Sequence, residues 1–239
     1  MEVKHILSNF DRALSQLRSD VSHMAALAQE SFDNAGRALF LRDEDRCNGV
    51  IADDEEVDEM EKQLDAEGIQ ILTKFQPLAV DFRRVFSTMK ITTDLERVAD
   101  KAVSIARRTK RLLQSLELPE TRMLEPLFQE AGLLLRDSVR AYTEEDPTLG
   151  ASLKQRDGKL DAMHHEFVQR LTSRMESDPK NAQNYLDLVL IGRYVERVGD
   201  HAVNIGEESV YCSSARDIRH TRPHASGALP GSSKGGSAA

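Results

Sequence analysis

The 239-residue sequence has no tryptophan, and aromatic residues make up only 5% of it. Its two cysteines, Cys47 and Cys212, cannot build a disulfide framework. The opening stretch MEVKHILSNFDRALSQL turns charged and periodic at once, unlike a signal peptide, so a reducing cytoplasm is the expected setting. Apolar runs stop after a few residues, which excludes a membrane-spanning helix and direct membrane insertion. Strand-like alternation and hairpin dipeptides are almost missing; the one Asn48-Gly49 sits in a polar stretch, DEDRCNG. Positive charge is also in deficit. Lys and Arg number 32 against 40 Asp and Glu, a net charge of −8 with a pI near 5.4. That balance argues against nucleic acid as the partner and against docking on an anionic membrane. There is no P-loop, GxGxxG, CxxC or GxSxG, and nothing resembles a nucleophile with its base, so the sequence does not read as an enzyme.

What remains is 40% apolar and 30% charged, the composition of long amphipathic helices. Pro77, Pro119, Pro147 and Pro179 punctuate strongly periodic segments, and the pattern predicts an all-α fold. Six long helices are expected, over about 5–42, 48–75, 79–116, 121–145, 149–177 and 181–212, with Pro126 marking a first helical turn. From Ser213 the chain becomes rich in Ser, Gly, Pro and Ala, which reads as a disordered tail, 213–239. The second half repeats the first. Asp54–Met60 aligns with Asp157–Met163 at an offset of 103 residues, as do Ala38 and Asp43 with Ala141 and Asp146. Leu95–Val103 aligns with Val195–Val203 at an offset of 100. Six antiparallel helices should therefore form two pseudo-symmetric three-helix bundles, 1–117 and 118–212.

Acids interrupt the apolar faces of these helices. On a helical wheel, Leu95, Val98, Ala102 and Ile105 form one face of the third helix; Phe82, Val85, Met89, Ala99 and Val103 form another. Glu96 and Asp100 fall within the second face, and Glu196 and Asp200 repeat this in the sixth helix. In the second helix Asp54 and Glu61 break the stripe Val50, Val57, Leu64 and Ile71, with Asp58 one turn from Asp54. In the fifth, Asp157 and His164 break Leu153, Leu160 and Phe167, with Asp161 one turn on. Folding each pair into an antiparallel hairpin sets Asp58 level with Glu96 and Asp54 level with Asp100, centred on Pro77. Asp161 and Glu196, like Asp157 and Asp200, are level about a centre between Asp178 and Pro179. Each hairpin thus gathers four carboxylates on largely apolar faces, where desolvation costs several kcal/mol per charge unless it is offset. Basic side chains, protonation or cations would relieve it. By the wheel Arg97 and Arg197 point away from the acids, and oxygen-only clusters suit Mg²⁺, Ca²⁺, Mn²⁺ or iron. His164 would add a nitrogen ligand at one site; the His164-His165 pair reads more simply as a partly exposed surface pair. His201 is expected at a polar edge, and Met60 and Met163 in the core.

Leu95-Glu96-Arg97-Val98-Ala99-Asp100 and Val195-Glu196-Arg197-Val198-Gly199-Asp200 resemble the paired E-R-x-x-D signature of PhoU proteins. Gln76-Pro77-Leu78-Ala79-Val80-Asp81-Phe82-Arg83 resembles that family's Q-P-x-A-x-D-L-R turn, with Phe82 in place of the usual Leu. The second turn, Ser177-Asp178-Pro179-Lys180, lacks the Gln-Pro form. The resemblance covers roughly residues 5–212 and implies a six-helix, two-bundle cytoplasmic protein, often a homodimer, that negatively regulates the phosphate-starvation response. It implies as partners the ATPase subunit of the phosphate-specific ABC transporter and a membrane-bound phosphate-sensing histidine kinase. In some members the D/E-x-x-x-D motifs hold iron or zinc clusters. That carries over to Asp54, Asp58, Glu96 and Asp100, and to Asp157, Asp161, Glu196 and Asp200, without implying that this member is metallated. The alternative is a ferritin-like di-metal carboxylate enzyme, suggested by Asp161-Ala162-Met163-His164. Only one half has that histidine, which weakens this reading.

Overall fold

A computed structural model describes the backbone from Glu2 to Arg219 and side chains from Ser8 onward. Among these residues there is no strand. The helices are α1 (Glu2–Leu41), α2 (Glu44–Ala52), α3 (Asp54–Phe75), α4 (Val80–Leu112), α5 (Glu125–Thr143), α6 (Pro147–Ser177) and α7 (Ala182–Ser214), with 3₁₀ turns at Pro119–Leu124 and Pro179–Asn181. Pro119, Pro126, Pro147 and Pro179 all occupy first turns, where a missing N–H costs nothing.

The expected polar linker DEDRCNG is instead mostly helix. Asp43 accepts a hydrogen bond from Arg46 N and starts α2, and the chain turns at Asp53 before continuing as α3. The expected second helix is therefore two, and it begins earlier. The aspartate responsible has a counterpart 103 residues on. Asp146 caps α6 by accepting from Thr148 N and Leu149 N. Both aspartates also close the preceding helix, with Asp43 N donating to Ala38 O at 3.0 Å and Asp146 N to Ala141 O at 2.9 Å. This six-residue closure places Arg42 and Glu145 in left-handed backbone at φ 53° each. Neither is glycine, and each is held by its side chain. Arg42 donates to the carbonyls of Leu113 and Ser115 beyond the end of α4, and Glu145 accepts from Arg18 and faces Arg84.

In the first half α4 packs on α1, α2 and α3; in the second α7 packs on α5 and α6. The halves join where α4 lies on α7 and α1 on α5. The α4–α7 seam is antiparallel. Ser87 meets Glu208, Asp94 meets His201 and Arg108 meets Asp187. Under the 100-residue offset Ser87–Glu208 and Arg108–Asp187 exchange places, so the pseudo-two-fold axis crosses this seam. Leu95, Val98, Ala102 and Ile105 of α4 are fully buried and belong to one core shared by both halves, which includes the Phe32–Phe128 stack. Removing this shared core from water supplies the main driving force for the fold.

Two expectations shift. Phe82, placed on an inward face by the wheel, is 46% exposed in the first turn of α4. The last helix also ends slightly later than the expected residue 212: α7 runs to Ser214, and Arg219 lies 3.6 Å from Glu208. The rest of the expected tail, 220–239, lies outside the described residues. No helix among the described residues is long and apolar enough to cross a membrane.

Candidate functional site

The acidic residues of each half line the groove between hairpin helices, α3 with α4 and α6 with α7. Burial raises the Asp54 carboxyl, and Asp58 and Asp100 raise it further against the pull of Arg107. Glu96 is raised by burial and then by Asp100, with Arg97 opposing and Glu61 and Asp58 adding. In the second half burial, Asp161, Asp200 and Glu196 together push Asp157 up to about 7. Burial and Asp200 raise Glu196, while Arg193 opposes. Each expected quartet therefore feels its own members across the hairpin, as the spacing about the turn requires. Packing places them too: a Cβ on Gly199 would meet Asp157 Oδ1 at 3.0 Å, so that carboxylate lies directly against α7.

The eight acids are not equally enclosed. Glu196 is 7% exposed; Asp54, Asp58, Glu96, Asp100, Asp157 and Asp200 are half-buried; Asp161 is exposed. Four buried atoms of these grooves make no hydrogen bond: Glu96 Oε2, Asp157 Oδ1, Glu196 Oε2 and His164 Nε2. Buried polar atoms are nearly always satisfied by protein or ordered water, which sets these four apart from the other side-chain atoms of the grooves.

The wheel misplaced the arginines. Arg97 folds back, with Nε 3.3 Å from Glu96 Oε2 and Nη1 3.5 Å from Asp100 Oδ2. Arg197 Nη1 reaches Asp200 Oδ2 at 3.2 Å, and Arg193 pairs with Glu196 Oε1. A wheel records where Cβ points, whereas a guanidinium reaches a neighbour three residues away. Arg193 went unnoticed in the sequence, though its spacing from Glu196 was the available signal. Basic side chains thus offset part of the charge, and among the described residues no three His, Cys, Asp or Glu side chains stand close enough to enclose a metal ion as they are. The donor chemistry nevertheless fits a cation, since anionic oxygens with unused lone pairs face one another from two helices.

The histidines also separate. His165 is exposed and contacts Gln169, as a surface residue should. His164 is half-buried, and burial followed by the Arg193 charge lowers its pKa, favouring the neutral ring. His201 is tied to Asp94 across the α4–α7 seam at 2.8 Å. Met60 and Met163 are partly buried against the core.

These features define an all-α protein built from one duplicated unit, each copy carrying an acidic groove in its hairpin. The chain belongs to the PhoU family: the PhoU domain matches residues 21–109 and again 124–209. A Pseudomonas putida relative called phosphate-specific transport system accessory protein PhoU homolog is 32% identical over 217 residues, covering 90% of this chain and 85% of that protein. A relative of the same description from Rhizobium meliloti (strain 1021) is 32% identical over 224 residues, covering 93% and 94%. The crystal structure of PhoU from Pseudomonas aeruginosa is similar with a TM-score of 0.84 at 29% identity, covering 87% of this chain and all of that one. The phosphate transport system regulatory protein PhoU from Streptococcus pneumoniae shares the fold, with a TM-score of 0.80 at 22% identity.

Proposed function

We propose that this chain is a non-enzymatic accessory regulator of phosphate-specific transport. In this reading it acts in the cytoplasm as a homodimer, links the ATPase subunit of the phosphate ABC transporter to a phosphate-sensing histidine kinase, and holds the phosphate-starvation response off when phosphate is plentiful. The observation that carries this is similarity along nearly the whole chain to phosphate-transport accessory proteins, with both E-R-x-x-D motifs kept on hairpin grooves. The absence of a recognisable nucleophile or cofactor motif in the sequence agrees with a role exerted through binding.

The two grooves are read as cation sites. Asp54, Asp58, Glu96 and Asp100 would hold ions in the first, and Asp157, Asp161, Glu196 and Asp200 in the second, with iron, Zn²⁺, Mn²⁺, Mg²⁺ or Ca²⁺ as the candidates. A bound ion would neutralise the mutual repulsion that raises Asp157 and its neighbours and so stiffen each hairpin. Deleting the gene should switch on phosphate-starvation genes in phosphate-rich medium, and a plasmid copy should silence them again. Unchanged expression in the deletion strain would overturn the regulatory reading. Pull-down from phosphate-replete cells, probed for the transporter ATPase and the kinase, tests the partners.

A further inference from the structure

The first hairpin ends in an apolar tip that the second lacks. Leu78 in its turn is 83% exposed, and Val80, Phe82 and Phe86 just beyond are exposed as well. Single exposed apolar side chains are ordinary, whereas a contiguous run of them marks a binding surface. At the 100-residue offset Phe82 has Ala182 as its counterpart, and the second turn, Asp178-Pro179-Lys180-Asn181, carries no large aliphatic or aromatic side chain. The duplicated architecture therefore does not require an apolar tip. Its backbone is also held in costly conformations: Gln76 and Ala79, neither of them glycine, have φ of 47° and 48°.

From the tip the apolar strip runs along α4 into a recess between α3, α4 and α7. The Phe82 and Phe86 rings stack with centres 6.0 Å apart and planes 14° from parallel, as side chains four apart on a helix can. Phe86 and Met89 then line a recess of about 560 Å³ together with Asp65, Asp94, Glu207 and Glu208. Lys90 stands where strip and recess meet, with Nζ 4.9 Å from the Phe86 ring centre and 2.8 Å from Glu208 Oε1. Lys154 pairs with Glu207 from α6. The third cation is Arg219, whose Nη1 lies 3.6 Å from Glu208 Oε1. It arrives on the non-helical segment after α7, not from the helices that build the recess. Four carboxylates thus face three lysines and arginines, and only two of those belong to the walls. The recess accepts a guanidinium brought in from outside.

We propose that this strip is the docking surface for an amphipathic basic helix of a partner protein, with Arg219 as the intramolecular stand-in for one of its cations. Apolar side chains at i and i+4 cover Phe82 and Phe86, and an Arg or Lys about one turn further on enters the recess in place of Arg219. Helices bound in grooves are read by anchors at this spacing, and a basic flank matches the excess of carboxylates. The proposal deepens the proposed function and rests on its reading that the chain acts by binding proteins.

The test selects binders from a displayed random peptide library on the full chain and measures the selected sequences as synthetic peptides by fluorescence anisotropy. Enriched sequences should carry large apolar residues at i and i+4 with Arg or Lys about one turn on. Phe86→Asp should weaken them by about 30-fold, the cost of losing a central apolar anchor, and Asp65→Lys by about 5-fold. Leu186→Asp, at the counterpart of Phe86, should leave binding unchanged. Arg219→Ala should tighten it by about 2-fold by vacating Glu208. Where Phe86→Asp lowers thermal stability, Leu78→Asp carries the test, since that side chain lies in the turn and outside the core. No enrichment, acidic winners, or binding untouched by both Phe86→Asp and Leu78→Asp would overturn the proposal. So would a lighter species for Phe86→Asp in sedimentation, which gives the face to a second copy of the chain. Peptide binding seen only once residues 220–239 are removed would overturn it too, by giving the face to that segment. None of these readouts needs a phosphate response. Unchanged expression in the deletion strain overturns the regulatory reading alone, and a failed selection overturns this surface alone.

Discussion

Asp157→Asn isolates the electrostatic cost of the second groove while keeping the shape of the side chain. In the unfolded chain the carboxyl ionises near its ordinary value of 3.8; in the fold it does so at about 7. The folded state therefore binds the proton more tightly. Below the unfolded value both states are protonated and the groove costs nothing. As pH rises toward 7 the unfolded chain ionises first, so wild-type stability falls, and above 7 the loss levels off. The full separation corresponds to about 4 kcal/mol. Asp157 is partly open to water, and screening reduces the plateau to about 2 kcal/mol. The asparagine carries no such cost. Its advantage over wild type should be near zero at about pH 4, grow through the interval and reach about 2 kcal/mol at about pH 8, equivalent to roughly 4–8 °C in Tm for a chain of this size. Urea denaturation followed by circular dichroism, with chelator present, gives the difference at each pH. A flat difference curve, or an asparagine variant less stable than wild type at pH 8, would refute the reasoning.

Two further outcomes follow from packing. Gly150 lies where α6 crosses α7, and a Cβ there would meet Gly206 O at 2.7 Å, a backbone atom that cannot swing aside. Gly150→Ala should lower stability by about 1–3 kcal/mol in thermal melts, while Gly158→Ala, where a Cβ meets nothing within 4 Å, should not lower it. Asp187 is 3% exposed and receives Arg108 Nη1 at 2.6 Å and Arg111 Nη2 at 2.8 Å across the seam between halves. Asp187→Ala removes the shared acceptor of both guanidinium groups, leaves half-buried Arg108 with Tyr194 as a partner, and should cost about 2 kcal/mol by chemical denaturation.

Much of this molecule was legible in its sequence, and the gaps have physical causes. Helical periodicity and the twin offsets gave the helices and their duplication, because both are properties of local spacing. The level of each acid followed from its distance to the turn at Pro77 or Asp178, since antiparallel helices rise at equal rates. Helix α2 was hidden because Asn48-Gly49 is a turn signal, although Asp43 carried the opposing evidence of a helix start. The seam pairs Asp94–His201 and Arg108–Asp187 were hidden for another reason. A charged residue on a wheel looks solvated until a second helix arrives, and the sequence does not say which faces of α4 and α7 will meet. Asp187 in the apolar run Leu186–Leu190 was the one available hint. The reach of Arg97, Arg193 and Arg197 depends on side-chain torsions that spacing does not record.

The twin bends at Arg42 and Glu145 keep one backbone shape but are fastened by opposite charges. At the first, a guanidinium grips peptide oxygens, an attraction of charge to dipole. At the second, a carboxylate is clasped by Arg18 and Arg84, an attraction of charge to charge near the surface. Dissolved ions weaken the second kind of clasp more than the first. Rising ionic strength should therefore loosen the later bend while sparing the earlier one, so two corners inherited from a single ancestor respond differently to the saltiness of their surroundings.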